Sequence, residues 1–463
     1  MSSGTAVQRR RAARVPQPMP RNIKPVVVIV GRPNVGKSTL FNRLVGKRVS
    51  IVTEIAGTTR DRIAMDVSWG ERQFVLVDTA GMDASPTGDL DVKVQAQVRA
   101  ALDSADLVLL VVDSRTGLLP SDNDMANEVR RSGKPAMLVA NKAEDTRQEL
   151  QAQEFHRLGL GDPILVSAYH NIGSGDLLDR IVACLPPSAS VIEAEEGVMR
   201  LAIVGRPNVG KSSLLNNIIG EERSVVSAVP GTTRDAIDTP FLYNGQRLTL
   251  IDTAGIRRKG LQEGIIEHFS MLRAMQAIQR AEVAVLVLDA QEMVTDQDTH
   301  VAGYILDEYK GVIVAVNKWD LSRPLGLESR STSDFVRERL KFMPYVPVAF
   351  VSALTGKGVG ELLPMALKIY AERRKRVPDQ ELRGIMLDAF GAHPPPTVKG
   401  KRLSITTVTQ SGVAPPEFTF WVNNPDLVHF SYHRFLENSI RRHYGFEGTP
   451  IRLVFRKRLI QQT

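Results

Sequence analysis

The chain has one cysteine in 463 residues, Cys184. A single thiol excludes an intrachain disulfide and a cysteine-built zinc cluster, and the apolar residues around it imply that Cys184 packs as a small apolar residue at a helix end. Long apolar runs are missing too: none approaches the roughly eighteen residues of a membrane span. The Arg-rich start has no apolar stretch behind its charges and so does not read as a secretory signal. Residues 1–24 read as a basic disordered extension, their Arg and Ser content also fitting a transit peptide, and cytoplasmic residence is the expectation. Acidic residues are scarce at both ends: 1–25 hold six Lys or Arg and no acid, and 371–463 hold fifteen basic against eight acidic residues. With a net charge of +8, the remainder carries −5. The positive excess therefore belongs to the two ends, and basic faces attract phosphate backbones with salt-sensitive affinity.

What is present is a phosphate-binding signature, twice: Gly31-Arg32-Pro33-Asn34-Val35-Gly36-Lys37-Ser38 and Gly205-Arg206-Pro207-Asn208-Val209-Gly210-Lys211-Ser212. The pattern G-x-x-x-x-G-K-[ST] arises by chance in roughly 1–2% of chains this long, and twice about a hundred times less often. Each copy follows a β-branched run and precedes a helical pattern. The glycines let backbone N–H groups converge on phosphate oxygens, and the following helix adds its positive N-terminus. The candidate phosphate sites are Gly31, Asn34, Val35, Gly36, Lys37, Ser38 and Thr39 in the first copy. In the second they are Gly205, Asn208, Val209, Gly210, Lys211, Ser212 and Ser213. The two lysines reach the outer phosphates as point charges, and the Ser38 and Ser212 hydroxyls are candidate Mg²⁺ ligands.

The motif order repeats as well. After Lys37 come Gly57-Thr58-Thr59-Arg60-Asp61, Asp78-Thr79-Ala80-Gly81, Asn141-Lys142 and Ser167-Ala168. After Lys211 come Gly231-Thr232-Thr233-Arg234-Asp235, Asp252-Thr253-Ala254-Gly255, Asn317-Lys318-Trp319-Asp320 and Ser352-Ala353. This is the order of a translation-factor-type GTPase, and over residues 25–460 the chain resembles the Der (EngA) family of double-domain bacterial GTPases. Asp78 and Asp252 each end an apolar strand, which aims a carboxylate at the sheet edge where open α/β folds bind ligands; each is a candidate Mg²⁺ ligand through water. Gly81 and Gly255 offer N–H groups to the γ-phosphate. Thr59 and Thr233 close over the metal, with Thr58 and Thr232 as rival assignments.

Base choice rests on Asn-Lys-x-Asp, whose carboxylate accepts from guanine N1–H and the exocyclic amine. The guanine candidates are Asn317, Lys318, Asp320, Ser352 and Ala353 in the second copy, and Asn141, Lys142, Glu144, Ser167 and Ala168 in the first. There Glu144 stands at the Asp position and Asp145 follows it, so either Glu144 reaches the base or the loop shifts to use Asp145. Weaker or less selective guanine binding in the first copy follows, since a methylene-scale misfit costs ~1–3 kcal/mol.

The residue after Asp-Thr-Ala-Gly is Met82 in one copy and Ile256 in the other, where many GTPases place a water-orienting Gln. The chain thus resembles the subgroup with a hydrophobic substitution there. That resemblance implies K⁺ held by a P-loop asparagine, here Asn34 and Asn208, the alternative being that these side chains only brace the loop. No general base is nominated, and slow turnover stimulated by K⁺ or a partner is the expectation.

The periodicity predicts an α/β fold: two tandem P-loop GTPase domains with mostly parallel sheets and helices on both faces, at 25–187 and 199–372, joined by an acidic linker at 188–198. The predicted strands are 26–30, 74–77, 107–112, 136–140 and 164–166, then 201–204, 248–251, 283–288, 312–316 and 348–351. Residues 373–463 show helix 380–390, strands 403–408 and 418–422, helix 432–443 and strand 451–455. This order resembles the K-homology-like domain that ends Der proteins, without the G-x-x-G clamp of RNA-binding K-homology domains. Arg434, Arg441, Arg442, Arg456, Lys457 and Arg458 are candidate RNA contacts, a purely packing role for this domain being the alternative. The resemblance implies a monomeric, ribosome-associated GTP hydrolase that binds GTP and GDP and acts with large-subunit rRNA in assembly of the large subunit. A membrane-linked or tRNA-modifying GTPase needs an anchor or methylene-carrier domain that the chain does not show; a nucleotide-gated RNA scaffold with one structural GTP site is the rival from another class.

Overall fold

Five consecutive valine and isoleucine residues form β1 (Val26–Val30), and all five are buried. In a computed structural model, which describes residues 24–46, 64–79, 101–145, 151–186, 197–220, 224–226, 238–253, 266–395 and 401–457 together with 99, 148 and 397–398, this strand is the third of a six-stranded sheet. The others are β2 (Ala64–Trp69), β3 (Arg72–Asp78), β4 (Leu107–Asp113), β5 (Ala136–Asn141) and β6 (Ile164–Leu165), in the order β2-β3-β1-β4-β5-β6. Only β2 runs antiparallel to its neighbour. Helices α1 (Lys37–Val45), α2 (Pro120–Ser132) and α3 (Ser174–Cys184) cover the faces. Alternate residues of β1 divide accordingly: Val27 and Ile29 pack with Leu40, Leu44 and Ile181, while Val28 and Val30 pack with Ala126 and Val129. A strand buried on both faces reads as a continuous apolar run.

The second copy repeats the plan with β7 (Met199–Val204), β8 (Ser224–Val226), β9 (Thr239–Tyr243), β10 (Gln246–Ile251), β11 (Val283–Asp289), β12 (Gly311–Asn317) and β13 (Val348–Phe350). Their order is β13-β12-β11-β7-β10-β9-β8, with β8 and β9 antiparallel at one edge. The helices are α4 (Lys211–Gly220), α5 (Ile266–Arg280), α6 (Asp296–Asp307), α7 (Ser329–Arg339) and α8 (Leu362–Arg374).

The described residues divide into two compact units at 367/368, so both large sheets lie in one unit. Helix α5 of the second copy contributes Leu272 and Met275 to the apolar cluster that contains Val26, Leu102 and Val108 of the first. Beside it the Gln276 amide donates to the Ser104 carbonyl at 2.9 Å. Lys24 donates to Asp66 at 2.9 Å and to Glu308 at 3.1 Å. Burial disfavours the Lys24 ammonium, but the charges of Glu308 and Asp66 outweigh burial and hold its pKa above the ordinary value.

The second unit contains α9 (Asp379–Ala392), β14 (Thr397–Val398), β15 (Lys401–Arg402), β16 (Ile405–Gly412), β17 (Glu417–Val422), α10 (Phe430–Tyr444) and β18 (Arg452–Lys457). β16 and β18 flank β17, antiparallel and parallel to it, over a core that includes Met386, Phe418, Phe420, Leu436 and Ile440. The β14–β15 hairpin adds to the predicted order, and β16 runs on to Gly412 instead of stopping at 408. Its polar end has no hydrophobic signal. Gln410 is nevertheless buried, because its amide accepts from Val377 N–H at 2.7 Å and donates to the Lys375 carbonyl at 2.9 Å. Cys184 corrects an expectation: it does end a helix, but its side chain is exposed, and the next residue, Leu185, takes the buried place. Among the described residues no helix is long and apolar enough to cross a membrane.

Candidate functional site

The turn between β1 and α1 has a backbone that few residues adopt. Asn34 and Gly36 have φ of 66° and 92°, and Asn208 and Gly210 have 62° and 94°. Asparagine tolerates this left-handed region, and glycine has no Cβ to oppose it. A Cβ on Gly36 would collide with the Asn141 amide nitrogen, and one on Gly210 with that of Asn317. That close approach is part of the site. Asn141 Nδ2 donates to the Val35 carbonyl at 2.9 Å while its Oδ1 accepts from Ala168 N–H at 3.1 Å. Asn317 does the same with Val209 at 2.7 Å and Ala353 at 2.9 Å. Each asparagine therefore ties the phosphate loop to the Ser-Ala loop.

Lys37 and Lys211 begin helices α1 and α4 and fold back over their loops. Lys37 Nζ donates to the Gly31 carbonyl at 2.7 Å and that of Arg32 at 3.0 Å; Lys211 Nζ donates to the Arg206 carbonyl at 2.5 Å. Burial pushes the Lys211 ammonium down to about 8, Asp298 opposing and the Arg206 charge adding to the shift. An anionic phosphate set against a buried ammonium offsets that cost. Ser38, Thr39 and Ser213 are exposed in the first helical turns and Ser212 is half-buried. Asp78 ends β3 in register with Ile29 and is buried. Its neighbour Thr79 donates its hydroxyl to the Ile29 carbonyl at 2.8 Å. Asp252 follows β10, its N–H donating to Asp238 at 3.1 Å, and the hydroxyls of Thr253 and Thr239 share a hydrogen bond of 2.8 Å.

Two braces escape a reading of the sequence alone. The loop arginines turn away from the cradle: Arg32 pairs with Asp122 at 3.2 Å, and Arg206 reaches both oxygens of Asp298 at 3.0 and 3.1 Å. Burial raises the pKa of both carboxyls against the opposing pull of their hydrogen bonds and arginines. Asp298 also completes a capping box with Thr295. Its counterpart Asp122 accepts from Leu119 N–H at 3.0 Å but has only that half of the box, since leucine has no acceptor to return. The second brace pairs Lys142 with Asp113 at 2.6 Å and Lys318 with Asp289 at 2.5 Å, at the ends of β4 and β11. The signal for both was recurrence: the same aspartate stands in the first turn of the corresponding helix, or at the end of the corresponding strand, in each copy.

At the base-reading end, Asp320 accepts the Ser352 hydroxyl at 2.5 Å. In the first copy it is Glu144 that accepts from Ser167, at 3.4 Å, while Asp145 accepts from Gln148 N–H at 3.0 Å and is exposed. Glu144 thus occupies the place of Asp320. Thr58, Thr59, Gly81, Met82, Thr232, Thr233, Gly255 and Ile256 lie outside the described residues, as does Arg458.

The other candidate RNA contacts separate by exposure. Arg434 and Arg442 are exposed on α10 along one stripe with Phe430 and Asn438, Arg434 standing 5.4 Å from the Phe430 ring centre. Arg456 and Lys457 are exposed at the end of β18. Arg441 turns inward, donating to Glu437 at 3.0 Å and to the Phe446 carbonyl at 2.9 Å.

Comparison with known proteins matches three stretches of the chain. Residues 26–142 and 200–318 each match the family described as 50S ribosome-binding GTPase, and residues 376–456 match the KH-domain-like C-terminal domain of EngA bacterial GTPase enzymes. The chain is 50% identical over 435 residues to a GTPase Der of Pelotomaculum thermopropionicum, covering 94% of this chain and 99% of that one. It is 51% identical over 442 residues to one of Thermomicrobium roseum, covering 94% and 96%. Among solved structures, the G domain of the T. maritima FeoB iron transporter matches with 26% identity and a TM-score of 0.26, over 37% of this chain and 98% of that domain.

Proposed function

The chain belongs to the Der family of GTPases, and from that premise we propose that its two nucleotide sites form a GTP-operated switch in assembly of the large ribosomal subunit. As a GTPase it transfers the γ-phosphoryl group of GTP to water, leaving GDP and phosphate. Such a reaction needs little covalent chemistry from the protein and much positioning. The loop N–H groups of 31–38 and 205–212 hold the phosphates, and Lys37 and Lys211 stand at their outer end. Asn141 and Asn317 hold the base against the loop, with Glu144 and Asp320 accepting from its N1–H edge.

The GTPase family uses Mg²⁺. The donors here fit it: a serine hydroxyl at each helix start and an aspartate at the end of each adjoining strand, Asp78 buried there, supply the few hard oxygens that Mg²⁺ takes from a protein when phosphates and waters complete its shell. Ser38 with Asp78, and Ser212 with Asp252, would hold the ion, with Thr59 and Thr233 joining them; it offsets the phosphate charge. A K⁺ ion beside Asn34 and Asn208 would add positive charge at the same place. This reading is supported by the exposure of both side chains.

The observation that carries the proposal is the phosphate loop strapped by an asparagine to a Ser-Ala loop, built twice in a chain that also carries the EngA-type C-terminal domain. In that domain Phe430, Arg434 and Arg442 offer a stacking surface and cations to single-stranded rRNA. Co-sedimentation with purified large ribosomal subunits tests the whole, in GDP and in a non-hydrolysable GTP analogue, with turnover measured in K⁺ and in Na⁺. Binding confined to the GTP-like state with K⁺-stimulated turnover is expected. Binding indifferent to nucleotide and cation would replace the switch by a scaffold.

A further inference from the structure

The two base-reading ends differ in a way their common frame does not demand. Arg115 N–H donates to Asp113 Oδ1 at 2.9 Å, and Gln291 N–H donates to Asp289 Oδ1 at 2.9 Å, so the two residues are structural counterparts. His170 N–H donates to the Ser167 hydroxyl at 3.3 Å and Thr355 N–H to that of Ser352 at 3.2 Å, a second matched pair. At these places the first copy has Arg115 and His170, and the second Gln291 and Thr355. Both first-copy side chains reach the carboxylate. The Arg115 guanidinium lies 2.6 Å from Glu144 Oε2, and His170 Nε2 lies 3.6 Å from Oε1. No comparable cation reaches Asp320 among the described residues, where the Ser352 hydroxyl is the donor.

Reading guanine takes both carboxylate oxygens, one for N1–H and one for the exocyclic amine. A charged donor binds a carboxylate oxygen about twice as strongly as a neutral one, so a base amine directed to Oε2 would meet an oxygen already held by a guanidinium. Hypoxanthine keeps N1–H and lacks the amine, and it isolates that single contact. We propose that Arg115 is a specificity-determining residue of the first nucleotide site: by holding Oε2 of Glu144 it weakens the reading of the guanine amine, so that this site separates guanine from hypoxanthine less sharply than the second. The proposal rests on Glu144 as the base reader of that site.

The test uses the full chain carrying Asp320→Asn, an isosteric change that removes guanine reading from the second site; bound GDP should fall from two to one per chain. Fluorescent GDP and IDP are then titrated, and the ratio of their dissociation constants is the readout. Arg115→Gln installs the second copy's side chain at a half-exposed position and should raise the preference for GDP by about 2–5-fold, the range of an exposed ion pair. An unchanged or lowered preference overturns the proposal. Glu144→Ala in the same background separates the two claims. A loss of preference there upholds Glu144 as the reader whatever Arg115 does, and an unaffected preference overturns that reading and the role of Arg115 with it.

Discussion

The two GTPase copies are alike at the loop between the first strand and helix and different at the Asn-Lys end, where the base is proposed to be read. Each loop has the same left-handed Asn and Gly, the same asparagine strap to the Ser-Ala loop, and the same outward arginine braced on a buried aspartate. At the other end Asp320 and its serine face Glu144, Arg115 and His170. A phosphate cradle made of backbone N–H groups depends on φ and ψ, which one Cβ in the wrong place destroys. A base contact made by a side-chain tip has a longer lever and tolerates exchange at some loss of selectivity.

Removing the common element should hurt both copies alike. Lys37→Ala and Lys211→Ala are each expected to lower turnover at the altered site by about 10²–10³-fold, read as single-turnover hydrolysis; a scaffold with one structural site would show the loss for only one of them. The copies are also joined. Leu272 is 2% exposed and belongs to α5 of the second copy, yet its cluster is the core of the first. Leu272→Ala should cost about 2–4 kcal/mol in urea unfolding, with the first copy's signal shifting although the mutation lies in the second. Exchange of the base readers comes next: Asp320→Glu should lower second-site GDP affinity and Glu144→Asp raise that of the first, each by about 1 kcal/mol or more, measured by calorimetry.

The smallest expected effect concerns the braces. Burial raises the pKa of Asp122 and Asp298 above 3.8, so the native state takes up a proton more readily than the unfolded chain. That contribution to stability is fully present below 3.8 and is lost as pH rises through the folded-state value. Relative to Asp122→Asn or Asp298→Asn, the parent should therefore gain urea resistance as pH is lowered toward 3.8, equally in the two copies. Unequal slopes would mean that the braces are not equivalent.

The central strands were legible because burial on both faces leaves an unbroken apolar run, as in 107–112 and 283–288. The antiparallel strands β2, β8 and β9 were not, although the edge strands β6 and β13 at the opposite side of each sheet were. β2 has one buried residue in six, and β8 and β9 are short strands paired antiparallel at the edge of the second sheet, so their order depends on partners and not on their own pattern. In the site, the motif residues were legible as types at fixed spacing. Which of Glu144 and Asp145 takes the place of Asp320 was not, since that turns on Ser167, more than twenty residues away in sequence.

The sequence by itself determined the fold class, the two phosphate loops and the motif residues from which a guanine site is proposed, because φ-demanding glycines, N-terminal helix turns and strand-end carboxylates are local properties. Tertiary structure alone decided the Arg32–Asp122 and Arg206–Asp298 braces, the approach of Arg115 and His170 to Glu144 and the entry of α5 into the neighbouring core. Each of these joins side chains that are far apart along the chain, 92 residues for Arg206 and Asp298 and 172 for Gln276 and Ser104. No local preference specifies such a pair; only the packing of whole layers brings its members together.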